Sequence, residues 1–535
     1  MRNLDLSQPF VWLLQLGWPA GQVLRRSDRP VVVDVTATGG ALAFEGGMPA
    51  VRWRWEAPLF DVAIGQGSLA IDLDLGPDAP GLAARRPMEG ARAELALHRP
   101  GQPYEARQVV LRARVTRAVW GAPGQLVSIE LDEELGDDTG MLFDETWVIT
   151  TDDWADARDD AVGQPYPAPL GMPGVIRTTD GTLSVAGTPV HVVRLTTPTA
   201  TDPITAVIAG GQIPALQVTI LCAGTGISAE RDVDVAVMRA DGELRPYATV
   251  NLYPITDFND SGAGLIADID TDDFYAIWTY GGATSTTDQS RGLLGAGEIL
   301  EWALRRSTLR IDWARVAAAR AWLDAYQVDT YLNEGITAWE WIRRVLVPML
   351  PMSLTSGPDG VFPVLWRLDA EPHEAVVHLE VGRNCARASR DEPGDQDLYV
   401  EAQVGFGPDD ADDGALQRTV TMGADEGDGG DRGTCLWSAH LAQDYEEAQA
   451  PTYNTGLDQT HDADTAWLHA IDVITRGRRG RLIELDVRPE LAGLEQGDVA
   501  LVTDAGRGWR GKVAIVQAVE IASAYIRVGL WISYQ

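Results

Sequence analysis

Leu482-Ile-Glu-Leu-Asp-Val487, Glu495-Gln-Gly-Asp498 and Val499-Ala-Leu-Val-Thr503 form the stretch that decides the fold. In the first run apolar and acidic side chains alternate, which is the period of a half-buried strand. The second is a turn centred on Gly497, and the third is another short apolar run. A further turn, Asp504-Ala-Gly-Arg-Gly508, leads to Lys512-Val-Ala-Ile-Val516, and the last arm is Ile526-Arg-Val-Gly-Leu-Trp-Ile532. Short strands divided by Gly/Asp turns predict a small barrel-like domain. Just upstream, Asp462 or Asp464 can cap a helix whose Trp467, Ile471 and Ile474 fall at helical spacing, predicting one apolar stripe against a neighbour. Arg478 and Arg479 suit its negative C-terminal end, and Gly480 suits its stop. No residue in 464–535 offers covalent chemistry, so the block reads as a scaffold whose edges must pair.

Working outward, residues 1–150 are also strand-dominated. Runs recur at Val31–Val35, Val51–Trp55, Leu69–Leu75, Ala93–Leu97, Val109–Val115 and Leu126–Leu131, divided by Gly/Pro/Asp clusters. Opposed polar and apolar faces in the last two predict a half-buried antiparallel sheet. Residues 151–290 are β-rich but less regular, with strands expected at His191–Leu195, Gln217–Leu221, Val233–Val237 and Tyr275–Thr279. Helices are expected in 291–366. One spans Gly297–Arg305, a second is capped by Asp312 with Val316, Ala319, Leu323 and Tyr326 on one face, and a third opens on the capping box Thr337-Ala-Trp-Glu340. Trp302, Trp313, Trp322, Trp339 and Trp341 crowd this segment and read as core or interface. In 367–463, strands are expected at Ala375–Val381, Leu398–Val404 and Thr419–Met422. The glycine-rich acidic runs Gly407–Gly414 and Ala424–Asp431 read as exposed loops. The predicted class is mainly β with a helical segment, in several domains.

The chain has 535 residues and a formal net charge of -35, from 78 acidic and 43 basic side chains, so as a whole it repels nucleic acid and anionic membrane. Lys512 is its one lysine. Cys222, Cys385 and Cys435 are scattered, without metal or disulfide spacing, and are expected as buried thiols of a protein made in a reducing cytoplasm. The N-terminus carries Asp5 and only the brief apolar run Phe10–Leu14, so neither a signal peptide nor a membrane span is expected.

Chemistry is hard to find. A phosphate-binding loop, a GxSxG elbow, HExxH and the dinucleotide glycine pattern are absent from the sequence. The histidines (His98, His191, His373, His378, His440, His461 and His469) form no ligand-spaced pair. Asp268-Ile-Asp-Thr-Asp-Asp273 begins like a calcium loop, but it lacks glycine at the sixth place and has Thr279 where a bidentate glutamate belongs. Asp257, Asn259 and Asp260 precede it, and the whole reads as a solvated loop. No carboxylate pair is singled out by spacing as a glycosidase would need. Neither catalytic, cofactor-binding nor metal-binding residues are assigned, and the expectation is a non-enzyme without cofactor.

Two segments at opposite ends carry a resemblance. Val11-Trp-Leu-Leu-Gln-Leu-Gly-Trp18 with Gly21-Gln-Val-Leu-Arg-Arg-Ser-Asp-Arg-Pro-Val31 resembles the opening of tail proteins of long-tailed bacteriophages. The C-terminal helix, Leu482–Val487, the Gly497-Asp-Val turn and Val513-Ala-Ile-Val516 are similar to the final domain of the same group. Val347-Pro-Met-Leu-Pro-Met352, with its Pro-Asp-Gly hairpin, resembles tail-tip hub proteins. The order of these motifs is more telling than any one of them. The resemblance implies a siphovirus-type tail-tip (baseplate) hub: tube-like barrels at 1–150 and 367–463, a homotrimer that adapts a sixfold tube to a threefold tip, and a channel that DNA traverses without sequence recognition. It implies as partners the distal tail ring, tape-measure, and tail fibre or central spike proteins, and as location the virion, after assembly in the host cytoplasm. Some such hubs hold an iron–sulfur centre on a C-terminal cysteine cluster; here no cysteine follows Cys435. A docking role for 297–350 through exposed tryptophans is a further expectation. A carbohydrate-binding tail adhesin and a cell-wall hydrolase are the alternative classes.

Overall fold

The computed structural model describes residues 9–142 and 295–532 apart from short connections, and between them only the backbone of isolated strands. With 51% strand and 20% helix the fold is mainly β with a helical segment, as the alternation predicts.

The N-terminal strands are β1 (Val11–Gly17), β2 (Val23–Ser27), β3 (Val31–Val35), β4 (Gly40–Phe44), β5 (Trp53–Glu56), β6 (Ser68–Asp74), β7 (Arg92–His98), β8 (Gln108–Trp120) and β9 (Leu126–Glu133). Six of them form an antiparallel sheet in the order β2-β1-β7-β8-β9-β6. Its two edges are tied by one short segment: the Ser27 amide donates to the Glu45 carbonyl, the Met48 amide to Ser27, and the Asp74 amide to Gly47. Sheet closure therefore passes through Gly47, which has φ +107° and lies so near β6 that a Cβ would sit 2.2 Å from the Asp74 carbonyl oxygen. Trp12, Leu14, Leu16, Leu73, Leu95, Leu111, Val127 and Ile129 fill the interior, one alternate set from each strand.

Between the N- and C-terminal parts, β10 (Ala168–Leu170), β11 (Val192–Arg194), β12 (Thr205–Ala209), β13 (Leu216–Cys222), β14 (Glu230–Ala240), β15 (Glu243–Asn251) and β16 (Phe274–Trp278) are described. The last six pair in the order β11-β16-β13-β14-β15-β12, and all four strands expected here lie in that sheet. β12 and β15 are not among the strands expected from the sequence; Pro246 interrupts the apolar run of β15. The loops at 151–156, 257–260 and 268–273 lie outside the described residues.

The helical segment holds α1 (Ala296–Leu304), α2 (Trp313–Leu323), β17 (Thr330–Leu332), which pairs with β10, and α3 (Ala338–Trp341). Asp312 caps α2 by accepting from the Arg315 amide, and Thr337 caps α3 by accepting from Glu340, both as expected. Val316, Ala319, Leu323 and Tyr326 are all buried. After α3 the helix widens to a π-helical stretch over Ile342–Leu346 and runs through Pro348 to Met349. A hairpin follows, β18 (Met352–Gly357) and β19 (Gly360–Leu365).

The remaining elements are β20 (Val377–Glu380), β21 (Cys385–Pro393), β22 (Glu401–Asp409), β23 (Ala415–Gly423), β24 (Asp431–Thr434), β25 (Thr452–Leu457), α4 (Ala463–Arg479), β26 (Arg481–Val487), β27 (Val499–Asp504), β28 (Trp509–Ile521) and β29 (Ile526–Ile532). A four-stranded sheet, β24-β23-β22-β25, is covered by α4. Asp462 caps that helix, its carboxylate accepting from the Thr465 amide at 2.7 Å. The buried face differs from the expected stripe: Ala466, Ala470, Val473 and Ile474 are buried, Trp467 is half-buried and Ile471 is 44% exposed. Small alanines let the helix lie close on β22 and β23, which rotates the stripe away from the bulkier side chains. The acidic run at 407–414 also starts differently from expectation. Gly407 and Pro408 are buried within β22, and the Gly407 amide donates to the Thr460 carbonyl; residues 410–414 and 424–430 lie outside the described residues.

The C-terminal sheet runs β20-β27-β28-β29-β26-β21, parallel only between β20 and β27. Its first and last strands are consecutive in the chain, joined by the turn at Gly382, whose amide donates to the Cys385 carbonyl. The strands read from 482–532 are all present. The one extension is β28, which runs 13 residues rather than five and carries a bulge between Val516 and Ala518. Before the bulge β28 pairs with β27; beyond it, Ala518–Ile521 pairs with β5 from the other end of the chain. One continuous apolar core thus includes Trp12, Leu95 and Ile129 together with Leu485, Val516 and Leu530.

A Gly47→Ala substitution forces a Cβ into the Asp74 carbonyl at a positive φ and should cost about 3 kcal/mol or more in denaturant unfolding. Gly39→Ala, at φ +63° with nothing within 4 Å, should cost only about 1 kcal/mol.

Candidate assembly surfaces

Three features position polar groups on these two sheets. The seam made by β5 is the most elaborate. Alternation along β26 places Glu484 and Asp486 on the face opposite Ile483 and Leu485, and the sequence predicts that face to be polar. The structure covers it. Glu484 is 7% and Glu520 1% exposed. Arg54 of β5 reaches Glu484 at 2.8 Å and Glu520 at 3.5 Å, and Arg52 meets Glu520 at 2.7 Å. From β29, Arg527 pairs with Asp486 at 2.7 Å, and the Tyr525 hydroxyl donates to Glu520 at 2.5 Å. Gln517, the bulge residue, uses side chain and backbone together: its Nε2 donates to Glu56 at 3.2 Å, and its carbonyl accepts from the Ala57 amide at 3.0 Å.

Buried carboxylates survive only if paired and hydrogen-bonded. Burial by itself would raise the Glu520 pKa; the hydrogen bonds from Arg52 and Tyr525 and the arginine charges outweigh it and hold the group below its ordinary value. Burial likewise opposes the charge on Arg54, and Glu484 and Glu56 restore it, leaving the pKa raised. The seam is an ionic latch that fixes a strand of the N-terminal region onto the C-terminal sheet.

A second cluster ties the two ends of the C-terminal sheet. Asp504, 1% exposed at the end of β27, accepts from Arg387 of β21 through a bidentate contact, from Arg507 at 2.7 Å and from the Gly506 amide at 3.0 Å. These hydrogen bonds, Arg387 first, hold its carboxyl at about 2. The neighbouring free thiol of Cys385 is pushed the other way, to about 11, by burial and by the charges of Asp504 and Glu380. At that value it is an inert thiol rather than a nucleophile.

The third feature is the β3–β4 hairpin, which lies on the outer face of β1. Val33 and Phe44 pack with Val11 and Leu13, while Val32 on the opposite face is 68% exposed. Glu105 grips the tip, accepting from the amides of Thr36 and Ala37 at 3.2 and 3.1 Å. No sequence signal marked Glu105 for this; its hold depends on two backbone amides nearly seventy positions away.

The histidines are placed separately. His373 pairs with Glu371 and His378 with the Thr503 hydroxyl, both at the surface. His98 is buried, and burial together with Arg107 lowers its pKa. His461 is pushed down to about 4 by burial while a ring nitrogen contacts the Pro408 carbonyl. His469 contacts the Met349 carbonyl. His191, His440 and Cys435 lie outside the described residues. Among the described residues no group of three His, Cys, Asp or Glu side chains could hold a metal ion. The tryptophans expected to be exposed for docking are mostly core. Trp302 and Trp341 are 6% and 1% exposed, Trp322 and Trp339 are half-buried, and only Trp313 among them is exposed, at 40%. Packing of α1, α2 and α3 against one another consumes the apolar stripes on which these residues sit.

Neither a family profile nor a curated protein matches this chain. Solved structures that are similar include a tail protein from Neisseria meningitidis MC58 (9% identity, TM-score 0.37, covering 98% of this chain and 97% of that one). The 43 kDa tail protein of prophage MuSo2 from Shewanella oneidensis is another, at 11% identity, TM-score 0.34 and 98% of each chain. A chain of the phage P2 baseplate in its activated conformation has 8% identity, TM-score 0.23 and 98% coverage of each. At these scores the similarity carries no argument about this chain.

Replacing Arg54 by Met leaves Glu484 and Glu520 short of a cation in a buried site and should cost about 3 kcal/mol in denaturant unfolding. The Asp504 cluster has a pH signature. A carboxyl held below its ordinary value of 3.8 contributes stability that is full above that value and is lost as pH falls towards about 2. Asp504→Asn should therefore lower stability by about 1–3 kcal/mol at neutral pH, and acid titration should show the gap to wild type closing between pH 3.8 and 2.

Proposed function

We propose that this chain is a structural protein of a phage tail, specifically the tail-tip (baseplate) hub of a long-tailed bacteriophage. The observation that carries the reading is the joining of the two chain ends. The opening segment that resembles tail proteins supplies β1, β2 and the start of β3, the closing segment supplies β26–β29, and both sheets share one core. A subunit with two curled sheets locked by the β5 latch is suited to contribute two barrels to a ring. Three such subunits present six barrels, which is the match a sixfold tube requires. The threefold side would then receive fibre or spike proteins, with the distal tail ring and tape-measure proteins above.

Charge agrees with a conduit. With a net charge of -35, a channel through the ring would repel phosphates and let DNA pass without adhering. A carbohydrate-binding adhesin would offer open aromatic faces to sugars. Trp313, the exposed tryptophan of the helical segment, already carries the Arg305 guanidinium 4.7 Å from its ring centroid.

The test is native mass spectrometry of the purified full chain with negative-stain imaging. A species of three times the chain mass, seen as threefold rings that cap isolated tail tubes, is expected. A monomer that binds host polysaccharide and ignores tubes would contradict the reading.

A further inference from the structure

We draw no further inference here: the strongest candidate, the outer face of the β3–β4 hairpin, where Val32 is 68% exposed on the side opposite the one packed on β1, carries none because nothing in the structure shows what covers it.

Discussion

Everything in this structure depends on the edge that β28 leaves open beyond its bulge. A 13-residue strand that loses register at Gln517 cannot keep β27 as its neighbour along its whole length. Its last four residues would present bare amides and carbonyls, a cost in solvent-poor surroundings and a hazard for aggregation. β5 satisfies them, and in doing so brings a strand from the first sixty residues onto the last thirty. The ion pairs of Arg52, Arg54 and Arg527 with Glu484, Asp486 and Glu520 then hold that pairing in place.

The same economy appears at the other closures. The N-terminal sheet is completed through Gly47, where two backbones approach too closely for any side chain. At the corner where β20 turns into β21, the C-terminal sheet is tied by the ion pair of Arg387 with Asp504. The edges of both sheets are tied by such short devices, and the β3–β4 hairpin packs on the outside of β1 with Val32 exposed.

Local signals were legible and long-range ones were not. The caps at Asp312, Thr337 and Asp462 and the clearly alternating strands, from Val31–Val35 to Ile526–Ile532, could be read because period and turn chemistry act within a few residues; short or irregular strands such as Gly40–Phe44, Cys385–Pro393 and Thr452–Leu457 could not. The face of α4 was misread at Ile471, since hydrophobicity alone favours the larger side chains, whereas close packing on β22 and β23 selects Ala466 and Ala470. Glu484 reads as a polar-face residue because its burial depends on an arginine more than 400 positions away. The pairing of β5 with β28 has no local signature; a four-residue strand reads the same whichever sheet it joins.

The central claim, that the chain ends form one body through the β5 seam, is tested most directly by native-state hydrogen exchange. The amides of Trp53–Glu56 should be as slow as those of Ala518–Ile521 and should open with them in a single cooperative step. Fast exchange across Trp53–Glu56 while Ala518–Ile521 stays protected on its β29 side would contradict the account.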